Sequence, residues 1–136
     1  MIVVDTNILG YFYFPSSEND AVERLRLFEK EWAAPELWRS EFLNVASLYF
    51  RKGLISVPDV IKAFEDAHKF VLTFEIHSEY RDVLDLVKAS SCSSYDCEFV
   101  VLAEKLNTRL LTYDKKLLHW FPNVAVKPED FLALEQ

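Results

Sequence analysis

The sequence predicts an α/β protein, a three-layer sandwich in which helices cover both faces of a central, mainly parallel sheet of four to five short strands. Three observations carry that expectation. Short runs built around apolar residues, such as Ile2-Val3-Val4 and Arg109-Leu110-Leu111-Thr112, have the length of strands buried on both faces. Longer segments with apolar residues at helical spacing alternate with them. No repeat, low-complexity stretch or linker interrupts the alternation in 136 residues, so a single domain over 1–136 is expected.

Taken in order, Ile2-Val3-Val4 reads as the first strand, and the chain from Thr6 to about Phe14 as helical until Pro15-Ser16-Ser17 ends it. An amphipathic helix follows from about Glu18 to Lys30, with Ala21, Val22, Leu25 and Phe28 at helical spacing. Trp32-Ala33-Ala34 is a short strand. Pro35 is suited to a first helical position and opens a helix to about Lys52, stopped by Gly53. Pro58 opens the next, to about Leu72. Phe74-Glu75-Ile76 reads as a strand, and Ser78 caps a helix to about Ala89. Ser93 or Ser94 caps another to about Leu106. Arg109 to Thr112 is a strand, Lys115 to Phe121 a short helix, and Val124-Ala125-Val126 a last strand before a helical turn.

Composition narrows the function classes. No apolar run approaches the roughly 20 residues of a membrane span, and Met1 is followed at once by Ile2-Val3-Val4-Asp5, without the basic region of a signal peptide. A soluble, cytoplasmic protein is expected. Cys92 and Cys97 are too few for a disulfide framework and match no zinc spacing, so they read as reduced thiols near a helix start. His68, His77 and His119 are scattered, which favours surface or packing roles. With 15 Lys and Arg against 22 Asp and Glu the net charge is −7, which argues against a broad basic surface for nucleic acid. It leaves open an enzyme that holds an anionic substrate through metal ions.

In a parallel α/β sheet the functional site lies beyond the carboxyl ends of the strands, at a switch in strand order. Acids should therefore stand just after strands. Asp5 does, and Asp114 does after one intervening residue; each also suits the cap of the helix that follows. Asp96 lies in a first helical turn, where it complements the helix dipole and forms a capping pattern with Ser93. It also heads the row Phe99, Val100, Ala103, Leu106. Glu41 reads as lying well inside its helix, on the stripe Leu37, Glu41, Asn44, Leu48 beside Trp38, Phe42, Val45 and Tyr49. A carboxylate embedded there is costly unless paired or bound to metal. Four acids brought together repel one another, so some protonate or the cluster recruits a divalent ion. An oxygen-rich set suits magnesium or manganese.

The segments Val3-Val4-Asp5-Thr6-Asn7, Leu37-Trp38-Arg39-Ser40-Glu41-Phe42-Leu43-Asn44, Ser94-Tyr95-Asp96-Cys97 with Phe99 to Glu104, and Leu110 to Leu117 together resemble the PIN-domain ribonuclease family, above all its bacterial and archaeal toxin branch. They stand in the family's order and span most of the chain, while Ser56 to Ser90 carries no signature. The resemblance implies that Asp5, Glu41, Asp96 and Asp114 form the acidic quartet that holds Mg²⁺ or Mn²⁺, supported by Asn7 and Thr112. It implies metal-dependent hydrolysis of RNA leaving a 5′-phosphate, an antitoxin protein as partner and a homodimer. Arg39, Arg51, Lys52, Lys115 and Lys116 are candidates for substrate contact, Lys115 and Lys116 foremost because they flank Asp114. The aromatic run Tyr11-Phe12-Tyr13-Phe14 suits either core packing or a groove for a partner.

Other classes fit less well. A haloacid-dehalogenase-type phosphoryl transferase wants an acid where Asn7 stands, and a receiver domain wants adjacent acids where Val3-Val4 precede Asp5. A nucleotide-binding Gly-rich loop is absent. Two readings within the resemblance remain open: an RNA-processing nuclease outside any toxin–antitoxin pair, and a silent RNA-binding module.

Overall fold

The structure is a computed structural model and describes residues 1–76 and 79–135. Five parallel strands form the sheet, in the order β3-β2-β1-β4-β5. They are β1 (Ile2–Val4), β2 (Trp32–Pro35), β3 (Leu72–Phe74), β4 (Leu110–Leu111) and β5 (Ala125–Val126). The helices are α1 (Thr6–Tyr13), α2 (Asn19–Phe28), α3 (Trp38–Arg51), α4 (Val57–Phe70), α5 (Tyr80–Lys88), α6 (Ser94–Lys105), α7 (Lys115–Trp120) and α8 (Pro128–Leu134).

Strand order dictates where a site can form. From β1 the chain steps to β2 and then β3 on one side; it then crosses back to β4 and β5 on the other. Right-handed crossovers place the helices of the first two steps on one face and those of the return on the opposite face. The carboxyl ends of β1 and β4, adjacent through the pairs Val3–Leu110 and Val4–Leu111, are therefore the switch point. Helix α6 packs across β1, β2 and β4, with α5 against it. All three residues of β1 are buried, as expected of a central strand covered on both faces.

Phe12 and Phe14 of the aromatic run pack into the core, while Tyr11 and Tyr13 are half-buried and line open hollows. Phe12 meets the rings of Trp32 and Phe70, and Phe14 stacks on Phe42 and touches Tyr49. Trp32 and Trp38 are fully buried, and each indole N–H has an acceptor, the Glu29 carbonyl at 2.8 Å and Thr73 Oγ1 at 3.0 Å. Packing, the first of the two readings offered for this run, accounts for Phe12 and Phe14.

Several boundaries differ from those the sequence predicts. Pro35 does not open a helix. It is the last residue of β2, opposite Phe74, and needs no N–H there because the next donor, that of Glu36, bonds the Phe74 carbonyl at 2.9 Å. Helix α3 consequently starts at Trp38. Strand β3 is Leu72–Phe74, two residues earlier than predicted, because Ser56 and Asp59 cap α4 reciprocally at its start and the helix ends at Phe70. The strand predicted over Arg109–Thr112 contracts to Leu110–Leu111. Of the alternative caps for α6, Ser93 is the one used, accepting from the Asp96 N–H at 3.1 Å. Gly53 does stop α3. Its φ of 71° and the bonds Gly53 N–H to Phe50 O and Leu54 N–H to Tyr49 O make a Schellman ending. The cap expected at Ser78 lies outside the described residues, as does His77.

Candidate active site

Each of the four acids proves to stand at the start of a helix whose N-terminus faces the carboxyl edge of the sheet. Asp5 follows β1 directly and caps α1, and Asp114 caps α7 after β4. Asp96 lies in the first turn of α6. Glu41 departs from expectation. Because α3 begins at Trp38, Glu41 lies in that helix's first turn rather than well inside it. Nor is its stripe embedded: Glu41 is half-buried, while Asn44 and Leu48 are exposed. The positive ends of four helix dipoles thus favour the charged forms of these carboxylates.

Burial opposes them. Asp5 is only 7 % exposed. Its Oδ1 accepts from the Thr6 N–H at 2.8 Å, and its Oδ2 accepts from Thr112 Oγ1 at 2.7 Å and from the Asn7 amide at 3.3 Å. These donors stabilise the carboxylate, yet desolvation outweighs them, and repulsion from Glu41 and Asp96 adds to it. The result is a carboxyl group pushed up to about 7. Glu41 receives a hydrogen bond from Thr6 Oγ1 at 2.8 Å. Burial first, then repulsion from Asp96 and Glu98, raises it as well. Asp96 is raised by burial and by Asp114, with Lys116 acting in the opposite sense. The repulsions link Asp5 to Glu41 and Asp96, and Asp96 to Asp114, in one electrostatic cluster across the switch point.

Thr112 is the hub of the neutral part of the site. It is fully buried; its hydroxyl donates to Asp5 and accepts from the Asp114 N–H at 2.9 Å and from Asn7 Nδ2 at 3.5 Å. Asn7 Oδ1 in turn accepts from the Tyr113 N–H at 3.5 Å. Asn7 and Thr112 therefore tie the end of β1 to that of β4. Replacing the hydroxyl by a methyl of the same shape, Thr112→Val, strips one donor from a buried carboxylate and one acceptor from a backbone amide. We expect a loss of about 1–3 kcal/mol in urea denaturation at neutral pH.

Two participants escape the sequence reading. Thr6 stands inside the first quoted segment, and its hydroxyl orients Glu41; its place between Asp5 and Asn7 was the available signal. Glu98, two residues after Asp96, contributes to the field at Glu41. The basic candidates separate. Lys116 is exposed and near enough to bias Asp96. Lys115 is exposed on the same short helix, and Arg51 and Lys52 are exposed at the far end of α3. Arg39 lies two residues from Glu41, about 200° around the helix, and lines a separate hollow with Glu36 and Glu98. His68 packs its ring against Trp38 and Phe64, and His119 against Trp120. Cys92 and Cys97 are free and buried; burial raises both thiols, Cys97 to about 11, which keeps them protonated.

Chemically the cluster is a set of hard oxygen donors, with neither thiolate nor imidazole among them. Among the described residues no three His, Cys, Asp or Glu side chains are gathered closely enough to ligate one ion directly. Asp114 Oδ1 is engaged by the Lys116 and Leu117 amides, and Glu41 by Thr6. Such an arrangement suits a cation that keeps much of its water and uses one or two carboxylates, as magnesium does, and not zinc.

Comparison with known proteins agrees with this fold. The family model for the PIN domain matches residues 2–126. Ribonuclease VapC3 of Pyrobaculum aerophilum is 27% identical over 124 residues, covering 89% of this chain and 95% of that protein. A toxin–antitoxin complex from Klebsiella pneumoniae contains a chain of the same fold, with a TM-score of 0.71, 17% identity and coverage of 94% of this chain and 98% of that one. PAE2754 from Pyrobaculum aerophilum superposes with a TM-score of 0.70 at 18% identity, over 98% of this chain and 94% of its own. At such identities the solved structures speak to fold alone.

Proposed function

The chain belongs to the PIN domain family, and from that premise we propose that it is a Mg²⁺- or Mn²⁺-dependent endoribonuclease, the toxin of a type II toxin–antitoxin pair acting in the cytoplasm. The ribonuclease relative and the toxin–antitoxin complex of like fold support this reading. The observation that carries it is the buried Asp5 at the switch point, held by Thr6, Thr112 and Asn7 and sharing a field with Glu41 and Asp96, the latter in turn with Asp114. We read 1–136 as one such domain.

Asp5 and Asp96 would hold the metal directly, and Glu41 and Asp114 would complete its shell through water. A divalent ion there supplies a bound water of lowered pKa and a charge clamp on the scissile phosphate. The chain's own residues do the rest. Thr112 and the Thr6 N–H hold the Asp5 carboxylate in one orientation, Thr6 Oγ1 does the same for Glu41, and Lys116, with Lys115 beside it, offers positive charge to the phosphate backbone. An antitoxin and a second copy are the proposed protein partners. The exposed Phe50, Leu54, Val57 and Ile61 from the end of α3 to α4 support a covered surface there; among the described residues no helix is long and apolar enough to cross a membrane.

The spread of the acids, with no three gathered as a ligand group, favours one second reading, an RNA-binding module without turnover. Incubation of purified protein with single-stranded RNA and Mn²⁺, Mg²⁺ or EDTA separates the two. Cleavage with either ion, leaving 5′-phosphate ends, and none in EDTA is the expected result; RNA retained but uncut under every condition would establish the binding module instead.

A further inference from the structure

We propose, building on the ribonuclease reading above, that the cleft between α1 and α3 beside Asn7 seats one nucleobase of the RNA, with Lys52 meeting an adjacent phosphate. The cleft encloses about 340 Å³ and is lined by Asn7, Gly10, Tyr11, Val45, Tyr49 and Lys52, among others. That volume sits at the small end of ligand pockets, suited to a nucleotide-sized occupant.

Three features point to a nucleotide. The first is continuity with the acidic site. The Asn7 amide that bonds Asp5 Oδ2 at 3.3 Å and Thr112 Oγ1 at 3.5 Å belongs to the same side chain that lines the cleft. A strand of RNA with a phosphate at the acids therefore meets a hollow that shares the Asn7 side chain with them. The second is the aromatic lining. Tyr11 and Tyr49 are half-buried, and each ring is braced from behind, Tyr11 edge-on to Tyr113 at 5.4 Å and Tyr49 tilted on Phe14 at 5.1 Å. Rings already held in place offer a base a stacking surface with little ordering left to do. The third is charge. In a chain of net charge −7, the exposed Lys52 brings an ammonium group to this lining. The lining also carries the apolar Val45 and Leu48, against which the flat face of a base can pack while the Asn7 amide and the Lys52 ammonium offer the polar contacts.

Gly10 lets α1 and α3 approach closely beside the cleft: a Cβ built there would lie 3.1 Å from Val45 Cγ1 and press on α3.

The test uses the full chain and three proteins: wild type, Tyr49→Leu, which removes the ring but keeps bulk against Phe14, and Lys52→Gln, a surface change that leaves packing intact. Steady-state cleavage of single-stranded RNA with Mn²⁺ should show KM raised about tenfold in each variant with kcat within about threefold. In NMR titrations, at least one of AMP, GMP, CMP and UMP should shift the Gly10 and Tyr49 amides, where inorganic phosphate alone does not, and Lys52→Gln should weaken that response. Unchanged KM in both variants with robust wild-type cleavage would overturn the base seat and leave the ribonuclease reading standing. Shifts from a nucleotide without any wild-type cleavage would uphold the seat and count against the nuclease. Resonances that ignore all four nucleotides would also overturn it, and a response to an apolar helical peptide in their place would make the cleft a protein groove.

Discussion

Asp5→Asn is expected to lower metal-dependent RNA cleavage by about 10³-fold or more while leaving the fold intact. The size follows from what one carboxylate at a metal centre contributes, several kcal/mol of charge stabilisation, at a tenfold rate change per 1.4 kcal/mol. The fold should survive because an asparagine occupies the same volume and can still accept from the Thr6 N–H, while the Thr112 hydroxyl, which donates to the carboxylate, can turn to accept from the new amide. Cleavage assays on the variant, with circular dichroism to verify folding, check both halves of the expectation. Undiminished turnover would remove Asp5 from the chemistry.

The second large effect is on stability. In the metal-free protein, Asp5 binds its proton up to about pH 7, whereas an unfolded chain releases it near 3.8. Between those values the unfolded state binds fewer protons than the folded one, so stability falls as pH rises through that window and levels off above it. The full extent for Asp5 is about 4 kcal/mol. Glu41 and Asp96, raised in the same direction, act in the same sense. Urea denaturation in EDTA should therefore show a protein less stable at pH 8 than at pH 5. In Asp5→Asn the decline should be shallower and the pH 8 stability higher than wild type. A wild-type protein whose stability rose over this window would contradict the burial and clustering of these acids.

Much of this was legible in the residues because the relevant physics is local. Ile2–Val4 followed by Asp5, and Leu110–Leu111 followed shortly by Asp114, show strand ends and acids in one glance. The helix endings depend on Gly53 and on Ser93, whose roles are properties of single residues. What escaped depended on partners distant in sequence. Pro35 was assigned to a helix because its fitness for a first turn is local, while its place in β2 is set by pairing with Phe74. That error moved the start of α3 and made Glu41 look buried mid-helix, when its half-burial comes from the helix terminus facing the other acids. Arg39 illustrates the same limit. It stands beside Glu41 in sequence, and the helical turn sends it elsewhere. Thr6 went unassigned because its partner, Glu41, is 35 residues away.

A divalent-cation site formed by Asp5, Glu41, Asp96 and Asp114 would show itself in thermal unfolding with metal. Wild type and Asp96→Asn would be melted at pH 7.5 in EDTA and in millimolar Mg²⁺ or Mn²⁺. A cation that binds only the folded state raises the midpoint by mass action. The expected result is a clear rise with Mn²⁺ in wild type that is lost or much reduced in Asp96→Asn, together with a higher midpoint for Asp96→Asn in EDTA, where one repelling charge has gone. A wild-type midpoint indifferent to both ions, and unmoved by neutralising Asp96, would contradict it.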